Sequence, residues 1–251
     1  MAEAYSDFAS VYDELMDNIP YDKWASYLYG LLLEYNVNDG IVAELGCGTG
    51  NITEILASLG YDMIGIDNSD TMLDIANEKK YENESNSLYL LQDMREFELY
   101  GTVAAIVSIC DSINYITEPK DLLQVFKLVN NYLDPKGVFI FDFNTRHYYK
   151  DIVANSTIAE DRDDISFIWD NYYDVETDIN ELTLNLFIQK QDDIYRKYQE
   201  LHLQRGYTLD EIKELISSSG LTFECAYDAF TKNPATNNSQ RIYVIARECG
   251  K

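Results

Sequence analysis

Apolar residues in this chain follow two different periods. Over residues 41–143, short apolar runs alternate with segments whose apolar positions recur every three or four residues. Ile41–Leu45, Asp62–Asp67, Leu88–Leu91, Val103–Ile109 and Gly137–Phe143 read as five strands. The fourth is apolar throughout, as a parallel strand buried on both faces should be. Between them, Ile52, Ile55, Leu56 and Leu59 predict a helix that Gly60 stops. Met72, Leu73, Ile75 and Ala76 predict another, which Ser69 can cap. Pro119 opens a third, with Leu122, Phe126, Val129 and Leu133 on one face. Residues 3–35 read as two helices broken near Pro20. Such alternation predicts an α/β fold, a doubly wound sheet with helices on both faces.

From about 157 to 205 the period becomes two. Leu182, Leu184, Leu186 and Ile188 alternate with Glu181, Thr183, Asn185 and Gln189, and Gln191-Asp192-Asp193 reads as a turn. Three antiparallel strands are expected here. Thr208 and Glu211 then predict a capping box for a helix bearing Ile212, Leu215 and Ile216, which Gly220 ends. Two final strands, near 221–228 and 240–247, can pair as a terminal antiparallel hairpin. The expected organisation is a core from residues 1–156 and 206–251, with a helical cap over 1–36. Residues 157–205 are expected to form an inserted three-stranded antiparallel lid.

Composition narrows the function. The 251 residues, 46% hydrophobic, suffice for one core with an insertion. The net charge of −25 repels phosphate backbones and anionic lipid, so neither nucleic acid nor a membrane is expected as a partner. Cys47, Cys110, Cys225 and Cys249 fit no zinc spacing, so no metal is expected and reduced thiols in the cytoplasm are the default. The N-terminal stretch lacks the basic and apolar regions of a signal peptide, and no apolar run approaches ~18 residues.

The candidate chemistry sits at Ala43-Glu44-Leu45-Gly46-Cys47-Gly48-Thr49-Gly50-Asn51, between the first strand and a helix N-terminus. Glycines there let the chain turn sharply and let a ligand approach the backbone. Asp67 follows about 20 residues on, where a ribose hydroxyl would be held. An NAD(P)-dependent oxidoreductase is one reading. It is disfavoured because Asn51 stands where the third dinucleotide glycine would be, and because the Glu44 carboxylate would repel a diphosphate. A carboxylate there suits a ligand bearing an ammonium group. A tight turn holding nothing is also open.

Residues 42–51 resemble motif I of class I S-adenosylmethionine-dependent methyltransferases. Gly65-Ile66-Asp67-Asn68-Ser69, with Met72-Leu73 following, resembles the family's second motif. Leu91-Gln92-Asp93-Met94-Arg95 resembles its adenine-binding stretch, and Leu133–Val138 its turn into strand five. The likeness covers most of the chain and implies a Rossmann-like fold with S-adenosylmethionine as cofactor. It further implies that the backbone of Gly46, Cys47, Gly48 and Gly50 packs under the homocysteine part and ribose, with Glu44 near the amine. Asp67, with Asn68 beside it, would bind the ribose, and Met72 would wall the ribose and adenine. Asp93 would accept from the adenine amino group under the cover of Met94. Cys110 and Asp111 would lie beside the methionine moiety. Residues 5–13 resemble the small-molecule branch of the family, which puts Tyr12 near the methionine end, with Tyr5 and Trp24 as weaker candidates.

Methyl transfer is an in-line displacement with an activated leaving group, so the protein mainly aligns the nucleophile and excludes water. A base is needed only if the acceptor must lose a proton. Tyr12, Asp111, Asn114 and His202 are the candidates for catalytic contact, with Asn144 close to the acceptor. Some sugar-amine N-methyltransferases of this type carry a histidine near Asp111–Tyr115, and this chain has none there. Alternation puts His202 on one face with Tyr198, Glu200 and Gln204, opposite Leu201 and Leu203. That face either covers the cleft or is a polar outer face. His147 reads as a solvated helix start. Phe167, Trp169, Tyr172, Tyr173 and Phe187 make either an acceptor pocket or a core or dimer contact. The expected function is methyl transfer to a small soluble acceptor by a monomer or homodimer. A non-catalytic cofactor-binding partner protein and an RNA methyltransferase compete with that reading.

Overall fold

The computed structural model describes residues 6–16, 19–191 and 194–251. Two helices come first, α1 (Ser6–Leu15) and α2 (Tyr21–Glu34). They are followed by β1 (Ile41–Leu45), α3 (Asn51–Ser58), β2 (Asp62–Asp67), α4 (Asp70–Glu82), β3 (Leu88–Leu91), β4 (Val103–Ser108), α5 (Pro119–Tyr132) and β5 (Leu133–Asn144). The strands join β10 (Leu221–Asp228) and β11 (Arg241–Glu248) in a seven-stranded sheet of order β10-β11-β5-β4-β1-β2-β3. β11 runs antiparallel to β5 and β10 to β11, which is the expected terminal hairpin. The chain walks outward from β1 to β3, then returns to place β4 on the other side of β1. At this reversal the loops leaving β1 and β4 diverge and open a crevice at the strand C-termini, where open α/β sheets bind ligands.

The strand sequences explain the layers. Phe139, Phe141 and Phe143 alternate on β5 and face α5 and α6 (Leu209–Ser219), packing with Phe126, Ile212 and Ile216. Val138 and Ile140 face the other way, onto Leu28, Leu31, Leu32, Ile52 and Leu56 of α2 and α3. Both faces of the sheet are therefore covered by apolar helix stripes. α6 starts with the expected capping box. Glu211 N donates to Thr208 Oγ1 at 3.2 Å, and Thr208 N donates to Glu211 Oε2 at 2.8 Å.

Between β5 and α6 lies a separate antiparallel sheet of four strands rather than three. These are β6 (Thr157–Asp161), β7 (Ile165–Asp174), β8 (Ile179–Gln191) and β9 (Ile194–Arg205). β6 escaped the periodicity because all five of its residues are exposed, so no apolar alternation marks it. Of the expected turn Gln191-Asp192-Asp193, the last two residues lie outside the described residues, as does Tyr5. No helix among the described residues is long and apolar enough to cross a membrane.

Replacing Thr208 by Ala removes the hydroxyl acceptor at the start of α6. The expected cost is about 1 kcal/mol of stability, read as a lower urea midpoint with an unchanged slope.

Candidate functional site

The crevice is closed into a cavity of about 590 Å³ by α1 on one side and by the four-stranded sheet on another, a size usual for small-molecule sites. Its floor is the loop from β1 to α3. Gly46 has φ +73°, and a Cβ there would stand 2.5 Å from Ser112 Oγ, so only glycine allows the β4 loop to cross so closely. The Ser112 hydroxyl ties this crossing, within donating distance of Gly46 O at 3.2 Å and of Ile109 O in its own loop at 3.0 Å. Gly50 has φ +77° and precedes α3. A Cβ there would meet Tyr89 Oη at 2.4 Å. Gly50 lies under the loop and not on the cavity wall, unlike the other expected cofactor residues.

Asp67 ends β2. Its Oδ2 accepts from Gly48 N at 2.8 Å and its Oδ1 from Ser69 N at 2.9 Å. Burial raises its pKa, and these backbone donors oppose the rise. Glu44, at 2% exposed, accepts from the Thr53 hydroxyl. Burial pushes its pKa up to about 8, so before a cation binds beside it this carboxyl is mainly protonated at neutral pH. Asp93 is gripped by the Arg95 guanidinium, whose Nε lies 2.9 Å from Oδ1, and this bonding holds its carboxyl below the usual range. Cys47, Gly48, Asn68, Met72 and Met94 complete this half of the wall.

The other half is built on charge. β4 runs into Cys110 and Asp111, both left-handed at φ +61° and +56°. Two consecutive side-chain-bearing residues in that region store strain of roughly 1–3 kcal/mol each. Asp142, fully buried on β5, holds the turn by accepting from Asp111 N at 2.8 Å and Cys110 N at 3.3 Å. Arg241, from the start of β11, bridges Asp142 Oδ2 at 2.9 Å and Asp111 Oδ1 at 2.7 Å. Its guanidinium lies over the Trp24 ring at 5.1 Å, and Trp24 stacks on Phe230. Gln204 of β9 donates to Asp111 Oδ2 at 2.9 Å. The cluster formally holds two carboxylates and one guanidinium, which leaves one negative charge on the cavity wall.

α1 is fastened over the glycine loop by Asp13. Its Oδ1 accepts from Thr49 Oγ1 and Asn51 Nδ2, each at 2.8 Å, and Lys79 Nζ lies 2.6 Å from Oδ2. Val11 and Leu15 pack with Met72, Ile165, Leu184 and Leu186, so α1 fills the seam between the two sheets. Tyr12 lines the cavity, and its hydroxyl accepts from Tyr21 Oη at 3.5 Å.

His202 also lines the cavity. Its face of β9 points inward: Glu200, His202 and Gln204 are buried, whereas Leu201 and Leu203 are 55% and 43% exposed. A polar outer face is therefore excluded. Of the aromatic stripe, Phe167 and Trp169 line the cavity, Tyr173 packs on Tyr149 and Val153, and Tyr172 is exposed. Asn114 is not on the wall. It is fully buried, donates to Asn144 O at 2.8 Å and Arg205 O at 2.7 Å, and accepts from Asn144 N at 2.8 Å. Its amide is consumed in pinning the ends of β5 and β9, which removes it from the catalytic candidates. His147 is paired with Asp151 away from the cavity. Sequence reasoning does not find Arg241, Gln204 or the Asp13 latch as site residues, since each acts through a partner distant in sequence. Asn51 reads in the sequence only as a missing glycine, yet its amide is one of the latch donors.

Comparison with known proteins agrees with this architecture. Residues 42–137 match the Methyltransf_25 family, described as a methyltransferase domain. The chain is 33% identical over 247 residues to "Putative methyltransferase YqeM" of Bacillus subtilis (strain 168), covering 97% of each. An S-adenosylmethionine-dependent methyltransferase structure from Clostridium acetobutylicum is 27% identical, with a TM-score of 0.88 over 99% of this chain and all of that one. The S-adenosylmethionine-bound amino pentose methyltransferase CalS10 of Micromonospora echinaspora shares the fold at 13% identity, with a TM-score of 0.76 and 99% of both chains covered. These likenesses define a class I methyltransferase fold. The chain belongs to the S-adenosylmethionine-dependent methyltransferase family, and its activity is methyl transfer from that cofactor. The residues present fit it: open space lies where a Gly48 side chain would be, and the buried Glu44 and partly exposed Asp111 carboxyls suit a cationic ligand.

Asp13→Ala unfastens α1. The lost charged hydrogen bonds, worth roughly 1–3 kcal/mol, are expected to weaken S-adenosylhomocysteine binding about tenfold and to speed amide exchange over residues 6–16. Calorimetry and hydrogen-exchange mass spectrometry check the two effects.

Proposed function

We propose that this enzyme methylates a small acceptor that is neutral or cationic, held between the glycine loop and the inner face of the four-stranded sheet. The charge balance of the cavity wall carries this reading. Among the described lining residues the cations are Arg95 and Arg241, and both are bound to carboxylates. A phosphorylated or carboxylated acceptor meets no unpaired cation there: parting Arg241 from the buried Asp142 would cost several kcal/mol, and the half-exposed Arg95 is already neutralised by Asp93. An uncharged or ammonium-bearing acceptor meets no such barrier. The chain's charge of −25 also disfavours RNA.

In this reading residues 157–205 act as a lid and residues 1–36 as a cap, so that together they exclude water. Asp67 holds the ribose hydroxyls, Asp93 and Met94 bind and cover the adenine, and Glu44 accepts from the ligand's amine. Asp111, tied to Arg241 and Gln204, sets a negative field at the methionine end. When bound, the cofactor supplies a methyl group on a sulfonium, whose departure leaves a neutral thioether. The protein's part is alignment and electrostatics, both built in before any ligand arrives. The four free cysteines support a reducing, cytoplasmic setting.

The direct test is incubation with methyl-labelled S-adenosylmethionine and separated cell fractions. Label is expected in small metabolites, and label confined to tRNA or protein would overturn the proposal. Asp67→Ala is expected to weaken S-adenosylhomocysteine binding by roughly 1–3 kcal/mol, measured by calorimetry. Glu44 gives a pH signature. Its proton must leave when an ammonium binds beside it, so below about 8 binding releases a proton. Affinity for S-adenosylmethionine should then rise with pH below about 8, by up to about tenfold per unit, until the ligand's own ammonium begins to lose its proton. Calorimetry in buffers of unlike ionisation enthalpy counts the proton. Glu44→Gln should abolish the release, and an unchanged count would remove Glu44 from this role.

A further inference from the structure

We propose that Tyr115, His202 and Glu200 form a proton relay that deprotonates the acceptor as it is methylated. The inference rests on the small-acceptor reading above and goes beyond it by assigning the base.

The first observation is the burial of polar groups among leucines. Glu200 and His202 turn inward beside Leu184 and Leu182, their buried partners on β8, which costs desolvation that an apolar side chain at either position would not. The second is geometry. His202 Nδ1 is 3.4 Å from Tyr115 Oη, and its Nε2 is 3.3 Å from Glu200 Oε2. Tyr115 and His202 line the cavity, and Glu200 stands behind them. The ring of Tyr115 meets the imidazole edge-on at 6.0 Å. The Glu200 contact is at ion-pair distance but not aligned as a hydrogen bond, since Oε2 makes none. Catalytic contacts of this kind tighten when charge develops, and a buried carboxylate is best compensated when the imidazole becomes a cation.

Position supports the same role. Gln204, two residues further along the same face of β9, binds Asp111 beside the expected methionine end. His202 therefore lies about 7 Å along the strand from that contact, on the acceptor side of the cavity. Two carboxylates on the wall are already engaged: Asp111 with Arg241 and Gln204, and Asp93 with Arg95. The groups facing His202 are Glu200 on its own strand and Tyr115 on the turn after β4, while its cross-strand neighbour on β8 is Leu182.

The step balances without any further reactant. The acceptor's lone pair bonds the methyl carbon, and the electron pair of the broken C–S bond stays on sulfur. The acceptor's proton passes to Tyr115 Oη as the tyrosine's own proton passes to His202 Nδ1, and the imidazolium faces Glu200. The acceptor is thus an amine or a hydroxyl, a group that must shed a proton to be methylated. A thioether or a tertiary amine would need no relay.

The test uses the full chain in complex with S-adenosylhomocysteine. His147→Asn leaves a single imidazole for long-range proton–nitrogen NMR. At about pH 8, above the ordinary histidine range, the His202 proton is expected on Nε2. Glu200→Gln should lower the pH at which the ring takes its second proton. A proton on Nδ1, or a titration that Glu200→Gln leaves unmoved, would overturn the relay without any acceptor in hand. With the acceptor from the labelling screen, His202→Asn should cut kcat by roughly 10²–10⁴ while S-adenosylhomocysteine affinity stays within about twofold. Tyr115→Phe should cut kcat less. Glu200→Gln should shift the acid limb of the kcat/KM profile to lower pH, which a purely structural role would not do. Retention of kcat within about twofold in His202→Asn would sink the proposal. Wild-type protein that fails to bind S-adenosylhomocysteine would instead overturn the cofactor site.

Discussion

Arg241 between Asp142 and Asp111 is the contact on which the rest of this site depends. One guanidinium joins the terminal hairpin, the central strand β5 and the strained turn after β4. Through Trp24 it reaches α2, and through Asp111 and Gln204 it reaches the inserted sheet. Without it, the fully buried Asp142 carboxylate would be left without its cation beside the partly exposed Asp111, a loss of several kcal/mol. Asp142 spends its remaining bonds on the backbone of Cys110 and Asp111, so the same charge pair that closes the fold also holds the left-handed turn. Structure and chemistry are coupled here because the strain is stored where the ligand's cationic end is expected.

The enclosure of the site follows from a second constraint. Neither α1 nor the inserted sheet has a complete core of its own. Val11 and Leu15 complete a cluster that includes Met72 from the α/β core and Ile165, Leu184 and Leu186 from the inserted sheet. Asp13 then adds direction, since its carboxylate meets the glycine loop and Lys79 together. The helix and the loop are thereby linked, and the seal over the cofactor site depends on one apolar seam and one charged latch. The inner face of the sheet is free to be polar because the apolar burial is supplied at its end nearest α1, by Ile165, Leu184 and Leu186.

The two halves of the cavity differ in how they arise. The half facing the expected cofactor is local: a strand, a glycine loop, a helix, and an acid at the end of the next strand. Its residues lie within short stretches, and nearly all of those expected from sequence line the wall. The half facing the expected acceptor is assembled from β9, the turn after β4, β11 and the π-helical turn Tyr148–Val153. Those pieces are far apart in the chain.

What sequence alone determined was the set of elements and the cofactor loop. Burial on both faces makes a parallel strand a continuous apolar run, glycine is required where φ is positive or a neighbour crosses, and capping is a contact over three residues. Each of these leaves a local trace. β6 left none, because a short strand with both faces exposed has no pattern to show. Tertiary structure decided the remainder. Alternation along β9 divides its residues into two faces, but only the docking of the sheet decides which face turns inward. Asn114 offered a polar side chain beside the site, yet its bonds go to backbone 30 and 91 residues away. Arg241 reads as an ordinary strand-end charge until folding sets it 2.7 Å from Asp111. A side chain's type is written in the sequence, but its partners are chosen by packing, and in this cavity the partners determine the chemistry.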